Sequence, residues 1–145
     1  MSRTLLLLTL LNVVHYLDRF VISAVAPAIQ EDMAIGNFQL GILMSAFMVG
    51  YVISCPIFGM LGDRFSRPKL MTLGVLLWSL ATIMSAVASS FLSLVAMRVL
   101  VGVGGACFTT IAPVFVRARL RDDRRVNEQF AVYYLAIPLG AALGY

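Results

Sequence analysis

Gly59-Met60-Leu61-Gly62-Asp63-Arg64-Phe65-Ser66-Arg67-Pro68-Lys69 is a short charged stretch set between two long apolar runs. Residues 38–61 before it and 70–91 after it carry no charged side chain. A run of about 20 apolar residues spans the hydrocarbon core of a bilayer as a helix. The stretch therefore reads as a turn at a membrane surface joining two spanning helices. Its three cations, Arg64, Arg67 and Lys69, assign that surface to the cytoplasmic side. The rest of the chain is oriented from this turn.

The 145 residues are 61% hydrophobic and 12% charged. That is far more apolar surface than a soluble domain buries, and it comes in long blocks without alternation, which argues for helices over a β-barrel. The net charge of +4 gives topology rather than nucleic-acid binding, because the cations gather in loops on one side. The reading is an all-α, polytopic membrane protein. Four transmembrane helices are expected over about 4–30, 38–61, 70–88 and 91–116, with a truncated fifth over 130–145. Asn37 is the expected N-cap of the second helix, and Pro68 suits the first turn of the third. Of the 11 cations, Arg3, the three of the first inner turn and Arg117, Arg119, Arg121, Arg124 and Arg125 of the second fall on one side. The outer turns near 31–37 and 89–90 carry none. The N-terminus is thus expected in the cytoplasm, in a multi-pass protein of the cell's inner or plasma membrane. A cleaved signal peptide ending near Ala24-Val25-Ala26 is the competing reading of the N-terminus. Asn12, His15, Asp18 and Arg19 interrupt its apolar core and speak against it. Residues 130–145 make about 24 Å of helix, short of a roughly 30 Å core. The chain is therefore expected to be the N-terminal piece of a longer protein.

Asp18 and Arg19 sit near the middle of the first helix, where a charge costs about 2.5–3.5 kcal/mol on insertion scales. Asn12, His15, Tyr16, Arg19 and Ser23 recur at three- and four-residue steps and form one polar stripe. Such a stripe is expected to face a water-filled cavity or the bundle interior, in a proton- or substrate-handling site; a structural ion pair is the alternative. Arg98, inside the fourth helix, is a fixed cation suited to an anionic group or to a carboxylate such as Asp18. His15 is a candidate proton carrier or a satisfied core histidine. Gly102, Gly104, Gly105 and Ala106 follow Arg98 and admit a closely packed neighbour; Gly140 and Gly144 after Pro138 suggest the same for a bent fifth helix. Asp63 opposes the dipole at the end of its helix and needs cations or another helix's N-terminus nearby. Cys55 and Cys107, in apolar runs of different helices, read as free buried thiols. No metal-ligand cluster, nucleophile–base pair or phosphate loop is present in the sequence, so no enzyme and no cofactor is expected.

Two stretches carry a resemblance. Gly59…Gly62-Asp63-Arg64…Arg67 resembles the loop motif between the second and third helices of the major facilitator superfamily. Arg98-Val-Leu-Val-Gly102-Val-Gly104-Gly105-Ala106 resembles its fourth-helix motif. Tyr16-Leu17-Asp18-Arg19-Phe20, Leu61-Gly62-Asp63-Arg64-Phe65-Ser66-Arg67, Thr110-Ile111-Ala112-Pro113 and Ala136-Ile137-Pro138-Leu139-Gly140 look like the Spinster-type lysolipid and sphingosine-phosphate transporters within that superfamily.

The resemblance implies a twelve-helix secondary transporter of two six-helix halves, of which this chain is part of the N-terminal half. It implies alternating access, with proton coupling, for a small organic or amphiphilic and anionic substrate. The first and fourth helices would line the cavity, with Asp18, Arg19, Arg98, His15, Asn12 and Tyr16 toward substrate or proton. Gly59, Gly62, Asp63, Arg64 and Arg67 would form the inner gate. The implied partners are the lipid bilayer, substrate, protons and the missing C-terminal half; nucleic acid is not among them. Three positions depart from the family patterns: Gly105 stands where Spinster-like proteins usually have a glutamate, Ser66 replaces a glycine, and Pro68 replaces a basic residue. A small helical membrane protein acting as an interaction or regulatory partner, or a non-functional remnant, is the alternative reading. A four-helix drug-efflux dimer is another.

Overall fold

A computed structural model describes residues 3–118 and 123–144, with the side chains of 123–125 left aside. Arg119 and Arg121 of the expected second inner loop lie outside the described residues, as does Tyr145. The described residues form helices throughout: α1 (Arg3–Ala24), α2 (Ala26–Met33), α3 (Asn37–Arg64), α4 (Arg67–Ala86), α5 (Phe91–Ala118), α6 (Asp123–Tyr134) and α7 (Ala136–Gly144). Four of them, α1, α3, α4 and α5, are long and apolar enough to cross a membrane. The outward faces of α3 and α4 are apolar, with Val52, Ile53, Leu73, Leu76, Leu80 and Ile83 all exposed. A protein in water would hide these side chains; one in lipid presents them.

The second, third and fourth expected helices shift by up to three residues at their ends, and three departures are larger in consequence. The first helix, expected over 4–30, breaks at Val25. Pro27 is the cause: it sits in the first turn of α2, where no N–H is needed, and its ring disfavours a helix running straight through. α2 ends at Ala34, held in the left-handed region at φ 51°, ψ 42°. The N-cap of α3 is Gly36, not Asn37. Gln39 Oε1 accepts the Gly36 N–H at 3.0 Å, and Asn37 Oδ1 accepts from Gln30 Nε2 at 2.8 Å. Asn37 thus ties α2 to α3. Third, the segment expected as 130–145 starts at Asp123 and divides between α6 and α7 at Leu135, three residues before Pro138. Charged residues 123–129 lengthen the helix outside the apolar stretch, because hydropathy marks depth in the membrane and not where a helix begins.

The chain groups into two compact units, Val25–Ile111 and Met1–Ala24 with Ala112–Tyr145. In the first, α3, α4 and α5 pack around Phe47, Trp78, Ala81 and Val101, with Tyr51 and Val75 against them. The Trp78 and Phe108 rings meet at 6.2 Å. Close crossings hold this unit together. A Cβ added to Gly50 would lie 2.3 Å from Val99 O, and one on Gly102 would lie 2.2 Å from Phe47 O. On the other side of α5, a Cβ on Gly104 would lie 2.6 Å from Trp78 N, and one on Gly74 would lie 2.8 Å from Cys107 Cβ. Cys107 Sγ donates to Leu70 O at 3.1 Å. Small residues permit such approaches in a membrane, where dispersion contacts replace the hydrophobic effect as the force between helices. In the second unit α7 lies along α1. A Cβ on Gly140 would lie 2.5 Å from Tyr16 Cβ, and one on Gly144 would lie 2.8 Å from Phe20 Cβ.

Candidate functional site

The buried positions of α1 are Leu5, Leu8, Asn12, His15, Asp18 and Ile22. Their three- and four-residue steps trace one face. It carries two apolar turns, then Asn12, His15 and Asp18, each at least nine-tenths buried. The expected stripe ran through Asn12, His15, Tyr16, Arg19 and Ser23; the buried face shares Asn12 and His15 with it and takes Asp18 in place of the rest. Asp18 and Arg19 lie to either side of the line through His15, at about −60° and +40° around the helix, and burial selects Asp18. Arg19 is half-buried, its guanidinium carbon 5.9 Å from the Phe20 ring centroid. Tyr16 is half-buried with its Cβ on the α7 side, against Gly140, and its ring meets His15 edge-on at 5.6 Å.

Asn12 has a structural task that the sequence did not announce. Its Nδ2 donates to Tyr133 O at 3.1 Å, in a buried position. Tyr133 lies at the end of α6, just before the break at Leu135. Pro138 has no N–H to offer the carbonyl four residues earlier, so the ladder opens there. The carbonyl left without its donor is Tyr134 O; beside it, Tyr133 O accepts from Asn12, which ties α1 to the break. Asn12 Oδ1, also buried, accepts no hydrogen bond among the described residues.

Arg98 is buried on α5. Its guanidinium carbon stands 5.8 Å from the centroid of the Phe47 ring on α3. Phe47 stacks on Tyr51, centroids 5.8 Å apart and planes 23° from parallel. The Tyr51 hydroxyl pairs with Thr109 Oγ1 at 2.9 Å, and Thr109 Oγ1 donates to Gly105 O at 2.9 Å. Gly105 is buried with Gly102 and Gly104.

The charged stretch is more helical than a loop. α3 runs through Gly59, Gly62, Asp63 and Arg64, and α4 starts at Arg67, leaving Phe65 and Ser66 as the whole turn. Arg64 in the last turn of α3 suits its dipole, and Asp63 opposes it. Asp63 and Arg64 are exposed and Arg67 half-buried. Gly62 is not needed for space within this unit, since an added Cβ would find Ile111 Cγ1 at an ordinary 3.5 Å; at Gly59 the nearest atom is Thr110 Cγ2 at 4.0 Å. Among the described residues no group of three His, Cys, Asp or Glu is placed to hold a metal ion.

Residues 8–145 match the family model described as Major Facilitator Superfamily. The chain belongs to that superfamily. Among relatives of this major facilitator chain is "Protein spinster" of Drosophila melanogaster, 41% identical over 142 residues that make up 98% of this chain and 23% of the relative. "Protein spinster homolog 1" of Homo sapiens is 38% identical over 93% of this chain and 26% of its own length. "Sphingosine-1-phosphate transporter SPNS2" of Danio rerio is 35% identical over 92% and 27%. The crystal structure of a bacterial homologue of the human lysosomal transporter Spinster, inward-facing and occupied, superposes with a TM-score of 0.92 at 29% identity, over 99% of this chain and 31% of that one. This chain therefore spans about a quarter of the length of these relatives.

For a major facilitator chain the polar inventory is now concrete. Within one unit α1 buries Asn12, His15 and Asp18; within the other α5 buries Arg98. Phe47, Tyr51 and Thr109 around Arg98 escaped the sequence reading, as did Gly50 and Gly74. The four-residue spacing of Gly50 and Ser54 is a signal for the first glycine. Nothing local marks Gly74, whose partners lie on α5.

Proposed function

We propose that this chain is part of the N-terminal half of a proton-coupled secondary transporter that works by alternating access on an anionic amphiphile. The observation that carries the reading is the burial of Asp18 and Arg98 within apolar helices of a major facilitator chain. Intramembrane ionisable groups are costly and persist where they move ions or hold substrate. Asp18 serves as the protonation site, with His15 one turn away as a second carrier. Arg98 anchors the anionic head group, because a guanidinium keeps its charge whatever its surroundings. Arg19 and Asn12 contribute to the same polar inventory, Arg19 as a cation and Asn12 through its open Oδ1. The apolar tail follows from the company of the chain: a relative is named a sphingosine-1-phosphate transporter, and that molecule joins a phosphate head to a long alkyl chain. Asp63, Arg64 and Arg67 act at the inner gate, where the exposed Asp63 carboxylate meets a helix N-terminus from the remainder of the transporter. The N-terminus is cytoplasmic, which puts the charged turn on the same side.

The test is Asp18→Asn in the full-length transporter reconstituted in liposomes. With an imposed pH gradient, the wild-type protein accumulates sphingosine-1-phosphate and the variant exchanges it without responding to the gradient. Unchanged gradient-driven uptake by the variant would remove Asp18 from the coupling step.

A further inference from the structure

Arg98 is a long charged side chain buried in an apolar span. In an apolar span a free arginine snorkels toward the nearest water. What surrounds it in its own unit is a line of contacts along one α3–α5 seam. On α5, Arg98, Gly102, Gly105 and Thr109 recur at steps of four, three and four and share a face. On α3, Phe47 and Tyr51 are one turn apart. The Phe47 ring lies under the guanidinium, within the roughly 6 Å over which an aromatic face attracts a cation. The ring is itself fixed twice. Gly102 lets the Phe47 backbone approach so closely that no Cβ fits between them. The Tyr51 ring backs Phe47, and the Tyr51 hydroxyl is tied through Thr109 Oγ1 to Gly105 O.

We infer that Phe47 is a positioning residue for Arg98, and that Tyr51 and Thr109 hold Phe47 in place for it. This rests on the reading of Arg98 as the anchor of an anionic head group. The seam contributes to holding the guanidinium in place before substrate arrives, so less ordering remains to be done on binding. A leucine at position 47 fills similar space but has no π face, so the guanidinium loses the contact that holds it toward α3. Binding then weakens while the later steps of the cycle are untouched. The effect therefore falls on KM for the anionic substrate and not on maximal rate.

The experiment measures initial rates of sphingosine-1-phosphate uptake by the full-length transporter in liposomes, with thermal melting of each variant alongside. Phe47→Leu is expected to raise KM roughly ten- to thirtyfold, the span of a desolvated cation–π contact, with maximal rate and Tm close to wild type. Phe47→Tyr keeps the π face and restores KM to within about threefold of wild type, allowing for the context dependence of such contacts. Tyr51→Phe and Thr109→Val move KM in the same direction by less. Arg98→Lys raises KM, and adding Phe47→Leu to it raises KM little further, because the two act through one contact. If Arg98→Lys raises KM while Phe47→Leu does not, or if Phe47→Leu and Phe47→Tyr lose rate and Tm equally, the positioning role is wrong and the anchor stands. If Arg98→Lys leaves KM unchanged in a protein that melts normally, the anchor reading falls and the positioning role falls with it.

Discussion

Gly102→Ala adds one methyl group at the tightest crossing between α3 and α5. The new Cβ would sit 2.2 Å from Phe47 O, 3.0 Å from Tyr51 N and 3.1 Å from Phe47 C. Ordinary contact begins at 3.4 Å, and all three neighbours are backbone atoms that no rotamer change can move. The helices must part by about 1.2 Å at this point. A radial gap of 0.5–1 Å already forfeits a quarter to a half of each dispersion contact it opens, and dispersion is the main force between helices in lipid. Overpacking of this kind costs about 1–3 kcal/mol. The upper half of that range applies here because the clash is with backbone on a long, stiff helix. Gly62→Ala is the matched control: its Cβ would meet only Ile111 side-chain carbons at 3.5 Å and beyond, and alanine raises helix propensity by roughly 0.5–1 kcal/mol. The assay is reversible unfolding of the full-length protein in mixed micelles, titrated with denaturing detergent. Gly102→Ala should lose about 2 kcal/mol and Gly62→Ala should be neutral or slightly stabilised. Equal stabilities for the two variants would refute the claim that α3 and α5 cross on a glycine contact.

Three further outcomes are expected. Asn12→Ala removes the donor to Tyr133 O and should cost about 1 kcal/mol in the same unfolding assay, within the range of interhelical hydrogen bonds in membranes; hydrogen exchange should quicken at the α6–α7 break and not elsewhere. Ala34→Gly relieves a left-handed alanine at φ 51° and should stabilise the α2–α3 junction by roughly 1 kcal/mol, read as higher protease resistance there. Asp63→Asn, at an exposed helix end, should leave melting within about 0.5 kcal/mol of wild type yet reduce transport severalfold, as measured by uptake into liposomes; normal uptake would remove Asp63 from the gate.

Hydropathy and charge made the all-helical, membrane-crossing fold legible, because both report the solvent around a helix directly. Helix interruptions were harder. Pro27 and Pro138 are visible in the sequence, but whether a proline bends a helix or ends it depends on what satisfies the freed carbonyl. Pro138 frees the Tyr134 carbonyl, and the carbonyl next to it, Tyr133 O, takes a donor from Asn12, which is 121 residues away. The stripe on α1 was misdrawn for a related reason. Asp18 and Arg19 are almost equally placed around His15, at about −60° and +40°, so periodicity alone does not choose between them. Arg98 stood out as an isolated charge. Its neighbours Phe47 and Tyr51 did not, because aromatic residues at a four-residue step in an apolar helix look like any other core pair until a cation is placed on them.

The glycines of α5 do more than let neighbours approach. Gly102 faces α3 and Gly104 faces α4, and two residues along a helix are about 200° apart. A helix gripped on nearly opposite sides cannot turn about its axis without driving backbone into backbone. Rotating α5 by one residue, about 100°, would replace Gly102 at the α3 contact with Val101 or Val103, which have no room there. The packing motif thus fixes the azimuth of every other side chain on α5, Arg98 included. Arg98 lies four residues, about one turn, before Gly102 and on the same face, so the glycine that sets the crossing also aims the guanidinium at Phe47. The arginine and the small residues after it in the fourth-helix motif are, on this argument, one device. A substitution at Gly102 should disturb the charge it never touches, and Arg98 cannot be understood apart from the glycines that follow it.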